Sequence, residues 1–160
     1  MRVSAAGYLG KTEDEVIKLA TDVTRVTHNH KEGIKGAITT AMMIFKARNG
    51  ASFNKLYDYA ISMYPKISSL DYENLRNNYK FNETCQDSVP QAIYCFLIND
   101  SFEDCLRTTI SIGGDSDTLA AISCAIAEAY YKEIPNELAR AVRKKLPNEI
   151  LCLLDKIVVE

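Results

Sequence analysis

No two of the five cysteines, Cys85, Cys95, Cys105, Cys124 and Cys152, stand in a C-x-x-C spacing, and their number is odd. The chain therefore carries no paired-thiol motif. It reads as a set of free thiols in a reducing compartment, several on apolar helix faces. No run is long and apolar enough to span a bilayer, and the N-terminus does not read as a signal peptide, so the expectation is a cytoplasmic protein. An excess of basic charge is also missing. Nineteen Lys and Arg stand against 21 Asp and Glu, a net charge of -2, which excludes the electrostatic footprint of a nucleic-acid binder or an anionic-membrane binder. There is no G-x-S-x-G elbow and no Walker loop, which removes serine hydrolases and P-loop enzymes. Convincing period-two alternation is absent, as are internal repeats, low-complexity tracts and linkers.

What remains is 160 residues of which 47% are hydrophobic, enough for one domain with a real core, taken here as residues 1–160. The chain is organised around Gly113-Gly114-Asp115-Ser116-Asp117-Thr118. Two glycines permit a tight turn with positive φ. Two carboxylates and a hydroxyl follow within one turn of the apolar helix that begins there. Leu119, Ile122, Ile126 and Ala129 share one face of it, and Ala120, Ser123, Cys124 and Ala127 share the other. A helix apolar on every side is a buried one, so this is expected to be the central helix. Asp115, Asp117 and Thr118 are hard oxygen donors, suited to Mg²⁺, Mn²⁺ or Ca²⁺ rather than zinc. The competing explanation is capping, with Asp115 at the N-cap and Asp117 complementing the dipole. An EF-hand is excluded, since no Glu stands twelfth in such a loop.

The rest of the chain predicts an all-α bundle. Met1 to Gly10 lacks a start signal and reads as irregular. Thr12-Glu13-Asp14-Glu15 is a capping box opening a helix with Val16, Leu19, Ala20, Val23 and Val26 inward. A second helix runs from about Glu32 to Asn49, stopped by Gly50. A third starts at Ser52 and ends before Pro65. Leu70 to Asn78 forms a short helix or turn and Tyr79 to Asp87 a loop. Ser88-Val89-Pro90 begins the next helix, with proline in its tolerant first turn. Ser101 caps another, with Cys105, Leu106, Thr109 and Ile110 packed. Pro135 and Pro147 each start a terminal helix. The two histidines, His28 and His30, lie at a helix end. A solvated or structural role is the default there, against a hydrogen bond from one ring to a phosphate or sugar.

Several of these stretches together resemble one family, the ADP-ribosylglycohydrolases, which include the dinitrogenase reductase-activating glycohydrolases. Gly113 to Ile122 is similar to the family's second acidic motif. Ile126-Ala127-Glu128-Ala129-Tyr130-Tyr131 with Ile134-Pro135 continues it, and Ser88 to Ile93 is similar to the segment before it. Thr27-His28-Asn29-His30 with Glu32 to Ala37 resembles the T-H-x-H-x-E-G-I-K-G-A block. Met1-Arg2-Val3-Ser4 resembles the end of the G-N-G-x-x-M-R-V segment. The resemblance implies an all-α fold, a pair of Mg²⁺ or Mn²⁺ ions, and hydrolysis of the glycosidic bond joining ADP-ribose to a side chain or small acceptor. It implies that Asp115, Asp117 and Thr118 are metal ligands and that His28 contacts the ADP-ribose phosphates. It places Met1, Arg2 and Gly114 in the substrate pocket. The family's earlier T-D-D-T or T-D-D-S cluster and its upstream glutamate are not found in these residues. The expectation is thus the C-terminal half of the pattern, incomplete at its N-terminus, with half of a two-metal site. Such a chain hydrolyses efficiently only with a matching N-terminal half. The alternative is an inactive remnant serving as a nucleotide-binding or assembly module. Apolar faces left uncovered predict a homodimer.

Overall fold

The computed structural model describes residues 1–156. It is all-α, with no strand among the described residues. The helices are α1 (Ser4–Leu9), α2 (Glu13–Arg25), α3 (Lys31–Arg48), α4 (Phe53–Met63), α5 (Tyr72–Asn78), α6 (Cys85–Leu97), α7 (Phe102–Ser111), α8 (Ser116–Tyr131), α9 (Asn136–Arg143) and α10 (Asn148–Leu154), with a 3-10 turn over Pro65–Ser69.

Helix starts follow local chemistry. The Thr12 hydroxyl accepts from the Glu15 N–H, and the Glu15 carboxylate accepts from the Lys11 N–H, so the reciprocal bond of the capping box lands one residue early. Asp71 and Ser101 cap α5 and α7 in the same way. Two cores meet at α3. A smaller one joins Val3, Ala6, Val16, Ala20, Ala41 and Met42 across α1, α2 and α3. A larger one joins α3 to α4, α6, α7 and α8 through Met43, Ile44, Leu56, Phe96, Leu119 and Ile126. Phe96, Tyr130 and Tyr131 fill its far end with edge-on rings, centroids 5.1 to 6.2 Å apart.

Several expectations are corrected. Met1 to Gly10 is not irregular: Ser4–Leu9 is helical, because packing Val3 and Ala6 onto α3 supplies what a missing start signal does not. The predicted apolar face of α2 stops short. Val16 and Ala20 are buried, but Val23 and Val26 are exposed, since no later element covers the end of that helix. Ile110 is exposed and Ile112 takes its place in the core. The helix expected at Ser88 starts three residues earlier, so Pro90 lies inside it. The early start is held by the Lys66–Asp87 ion pair at 2.8 Å and by the Ser88 hydroxyl donating to the Asn82 carbonyl at 2.9 Å. α8 begins where the sequence places it. Leu119, Ile122, Ile126 and Ala129 are all buried, but Ala121 is exposed, and α3 is the more enclosed helix.

Candidate active site

α8 starts from a turn that only glycine enters without strain. Gly113 and Gly114 have φ of 75° and 65°. A side chain on Gly114 would collide with the Tyr79 ring at 2.5 Å. The chain then reaches Asp115, which holds the N-cap position with φ -81° and ψ 66°. Its carbonyl accepts from the Leu119 N–H; its carboxylate makes no fully formed capping hydrogen bond, although the Thr118 N–H stands close enough to favour its charge. The Asp117 carboxyl beside it, then the Thr118 hydroxyl, with a smaller contribution from the Thr118 N–H, hold Asp115 below the ordinary carboxylate value.

Asp115 and Thr118 open onto a cavity of about 350 Å³. Three helices, the chain start and the α2–α3 loop supply most of its wall. α8 contributes its first two turns, down to Ile122. α6 contributes its first turn through Cys85, Ser88 and Val89. α3 contributes Gly33, Gly36, Ala37 and Thr40. The chain start and the α2–α3 loop close it with Met1, Arg2, Thr27 and His28. Three helices, α3, α6 and α8, thus bring their N-terminal halves to one space. Their dipoles favour negative charge there.

The basic side of the cavity is ordered by one hydroxyl. Arg2 Nη2 donates to Thr27 Oγ1 at 2.9 Å, and Thr27 Oγ1 lies 2.8 Å from His28 Nδ1. The hydroxyl has one proton and two lone pairs, so beside the Arg2 bond it either donates to Nδ1 or accepts from an Nδ1–H. Gly33 seats this loop on α3: a Cβ there would stand 2.8 Å from the His28 carbonyl. His30 has another task, since its Nδ1 accepts the Glu32 N–H at the start of α3.

The structure brings Asp115, Thr118, His28, Met1 and Arg2 to one cavity. Asp117 is exposed at the rim beside Asp115, and Gly114 lies against Tyr79, outside the lining. Thr27, Cys85 and Glu83 also line the space, and sequence reasoning named none of them as site residues; Ser88, of the polar group Gln86-Asp87-Ser88 for which capping is the default reading from sequence, lines it as well. Thr27 stands beside His28 in the histidine block and could have been picked from it. Cys85 and Glu83 sit in a stretch read as loop, which gave no signal. The oxygen-only set of Asp115, Asp117 and Thr118 is of the kind that suits a hard divalent cation. Among the described residues, no group of three or more His, Cys, Asp and Glu side chains is placed to hold a metal by itself.

Fold and site together define an all-α protein with an acidic turn and a basic loop facing one another across an anion-favouring cavity. The family model described as ADP-ribosylglycohydrolase matches residues 1–160, and the chain belongs to that family. Among curated proteins, it is 23% identical to the ADP-ribosyl-[dinitrogen reductase] glycohydrolase of Rhodospirillum rubrum, over 84% of this chain and 46% of that protein. It is 27% identical to ADP-ribosylhydrolase ARH3 of Mus musculus, over 82% of this chain and 48% of that protein. A shorter stretch, 28% of this chain and 15% of the relative, is 48% identical to human ADP-ribosylhydrolase ARH3. The chain spans about half the length of the full-span relatives it matches.

Proposed function

We propose that the cavity binds ADP-ribose, with the diphosphate on the basic side and the terminal ribose toward the acidic turn. The observation that carries this reading is the convergence itself. One space receives three helix N-termini, a guanidinium, an imidazole and a carboxylate. The Arg2 guanidinium supplies donors to phosphate oxygens, with the His28 ring beside it. Met1, Val89 and Ile122 exclude water from the middle of the ligand. Asp115, Thr118 and Asp117 would hold Mg²⁺ or Mn²⁺, which when bound orients ribose hydroxyls and a water and offsets charge at the anomeric carbon.

The reaction we propose is hydrolysis of the glycosidic bond between ADP-ribose and a side chain or small acceptor, which passes through oxocarbenium character. Three oxygen donors fill only half of an octahedral shell. We propose that efficient turnover draws further acidic groups from a complementary N-terminal segment. A second reading, nucleotide binding without catalysis, is favoured by the absence of a larger acidic cluster among the described residues. Release of ADP-ribose from a modified substrate with Mg²⁺, with and without a matching N-terminal half, separates the two. The first reading predicts slow release by the chain alone and a large gain on complementation. No gain with a half that demonstrably binds supports the second. A homodimer through uncovered apolar faces is a further proposal, read by light scattering at micromolar concentration.

A further inference from the structure

α7 and α8 fold back on one another across the Gly113-Gly114 turn, and small side chains on α8 let them approach closely. The Thr109 and Ser123 hydroxyls meet across this contact at 2.9 Å, both buried. Two thiols stand in the same contact. Cys105 lies one turn before Thr109, whose hydroxyl donates to the Cys105 carbonyl at 2.7 Å. Cys124 follows Ser123, and the Ser123 hydroxyl lies 3.9 Å from Cys124 Sγ. The two thiols are within hydrogen-bonding reach of each other, so cysteines that share no sequence motif are neighbours in space. They differ in kind. Cys105 is wholly buried, and Cys124 is partly exposed. The bond between them holds the Cys124 thiol below its ordinary value, with Ser123 adding to it against the opposing effect of burial. The same bond pushes the Cys105 thiol up, and burial adds to it. Cys124 is thus the nucleophilic member, within reach of solvent, and Cys105 the one that keeps its proton. Neither lines the cavity, and the proposed hydrolysis uses neither.

We propose that Cys124 and Cys105 are a peroxide-oxidisable pair that closes to a disulfide and pins α7 to α8. The oxidant is a hydroperoxide, hydrogen peroxide being the simplest. The Cys124 thiolate attacks one peroxide oxygen. An S–O bond forms, the O–O bond breaks, and the leaving hydroxide takes up the proton that Cys124 released. The Cys105 sulfur then attacks the sulfenic sulfur of Cys124. The S–S bond forms, the S–O bond breaks, and hydroxide leaves with the Cys105 proton as a second water. Two thiols lose two electrons, and one peroxide gains them. The loop so closed runs from Leu106 to Ser123 and contains the whole acidic turn. Closing it restricts the unfolded chain and so favours the folded one. Cys95 on α6 is the competing thiol, but its hydrogen bond goes to Thr109 rather than to Cys124.

The test treats the full chain carrying Cys152→Ser with hydrogen peroxide; the substitution removes the exposed thiol that would link two copies. The remaining thiols are then blocked and every cysteine is mapped by mass spectrometry. The proposal expects a peptide pair joined through Cys105 and Cys124, loss of both as free thiols, their return with dithiothreitol, and Cys95 still free. In a further Cys105→Ala variant, peroxide should leave a sulfenic acid on Cys124 that dimedone captures. The linked chain should melt higher than the reduced one. Cys105 and Cys124 both free after oxidation overturn the proposal, as does a link that joins either to another cysteine. A linked chain that melts lower also overturns it, because the thiols must then leave their places to join. The mapping of the Cys152→Ser chain decides the matter whether or not the Cys105 variant folds.

Discussion

At the scale of single residues, the cavity depends on side chains whose bonds run outside their own helices. Thr27 is the clearest. It is in neither hydrophobic core, yet its hydroxyl accepts from Arg2 and lies 2.8 Å from His28 Nδ1. Thr27→Val keeps the shape and removes the relay. It should weaken ADP-ribose binding about threefold to tenfold with little change in melting temperature, as measured by calorimetry and thermal unfolding. Asp87 gives a pH-dependent case away from the binding chemistry. Its carboxyl lies below its ordinary 3.8, chiefly through the Lys66 hydrogen bond, with Thr84 and Asn82 adding to it. A depressed carboxylate stabilises above its unfolded value, and that contribution is lost as pH falls through the folded one. Both partners are about 40% exposed, so solvent screening keeps the worth of the pair under about 1 kcal/mol. Asp87→Asn should be less stable than the parent by that order at pH 7, and the gap should close below pH 3.8 in acid unfolding curves. The sequence makes Asp115, Thr118 and His28 legible because their neighbours carry the signal. It hides Cys85 and Glu83, which line the cavity but sit in a stretch that reads as loop.

At the scale of elements, helices with local signals were legible and those made by tertiary contact were not. Thr12 and Ser101 announce α2 and α7 through caps that form as expected. α1 has no side-chain cap, and burial of Val3 and Ala6 against α3 holds it. Pro90 misled because proline marks a first turn in general, whereas here Lys66 and Asn82 begin the helix sooner. α8 ends with a different departure. Lys132 closes it in the left-handed region, φ 56°, a place that favours glycine. The strain of a Cβ there exceeds the entropy that glycine adds to the unfolded chain. Lys132→Gly should therefore raise stability by up to about 1 kcal/mol. Denaturant midpoints at constant slope check it, and a loss would mean that the lysine side chain contributes more than its backbone costs.

At the scale of the whole molecule, helix polarity separates two ends. α3 and α8 direct their first turns, with that of α6, to the cavity of Asp115 and His28. The C-terminal ends of α1, α3 and α8 meet elsewhere, where Lys11, Arg48 and Lys132 supply the positive charge that helix C-termini favour. That division makes one end of the bundle receptive to a diphosphate. α9 and α10 add no buried residue to either core, so the binding end rests on α1 to α8. The overall class was legible from periodicity alone. The shared end was not, because no window of sequence reports which helix termini become neighbours. The most direct measurement is calorimetric titration of ADP-ribose into the chain with Mg²⁺, beside Asp115→Ala, with the melting temperature of both proteins read to show that α8 stays folded. The account predicts saturable binding by the parent and at least about a tenfold loss in the variant. No binding by the parent at millimolar ADP-ribose, or equal affinity in both proteins, would contradict it.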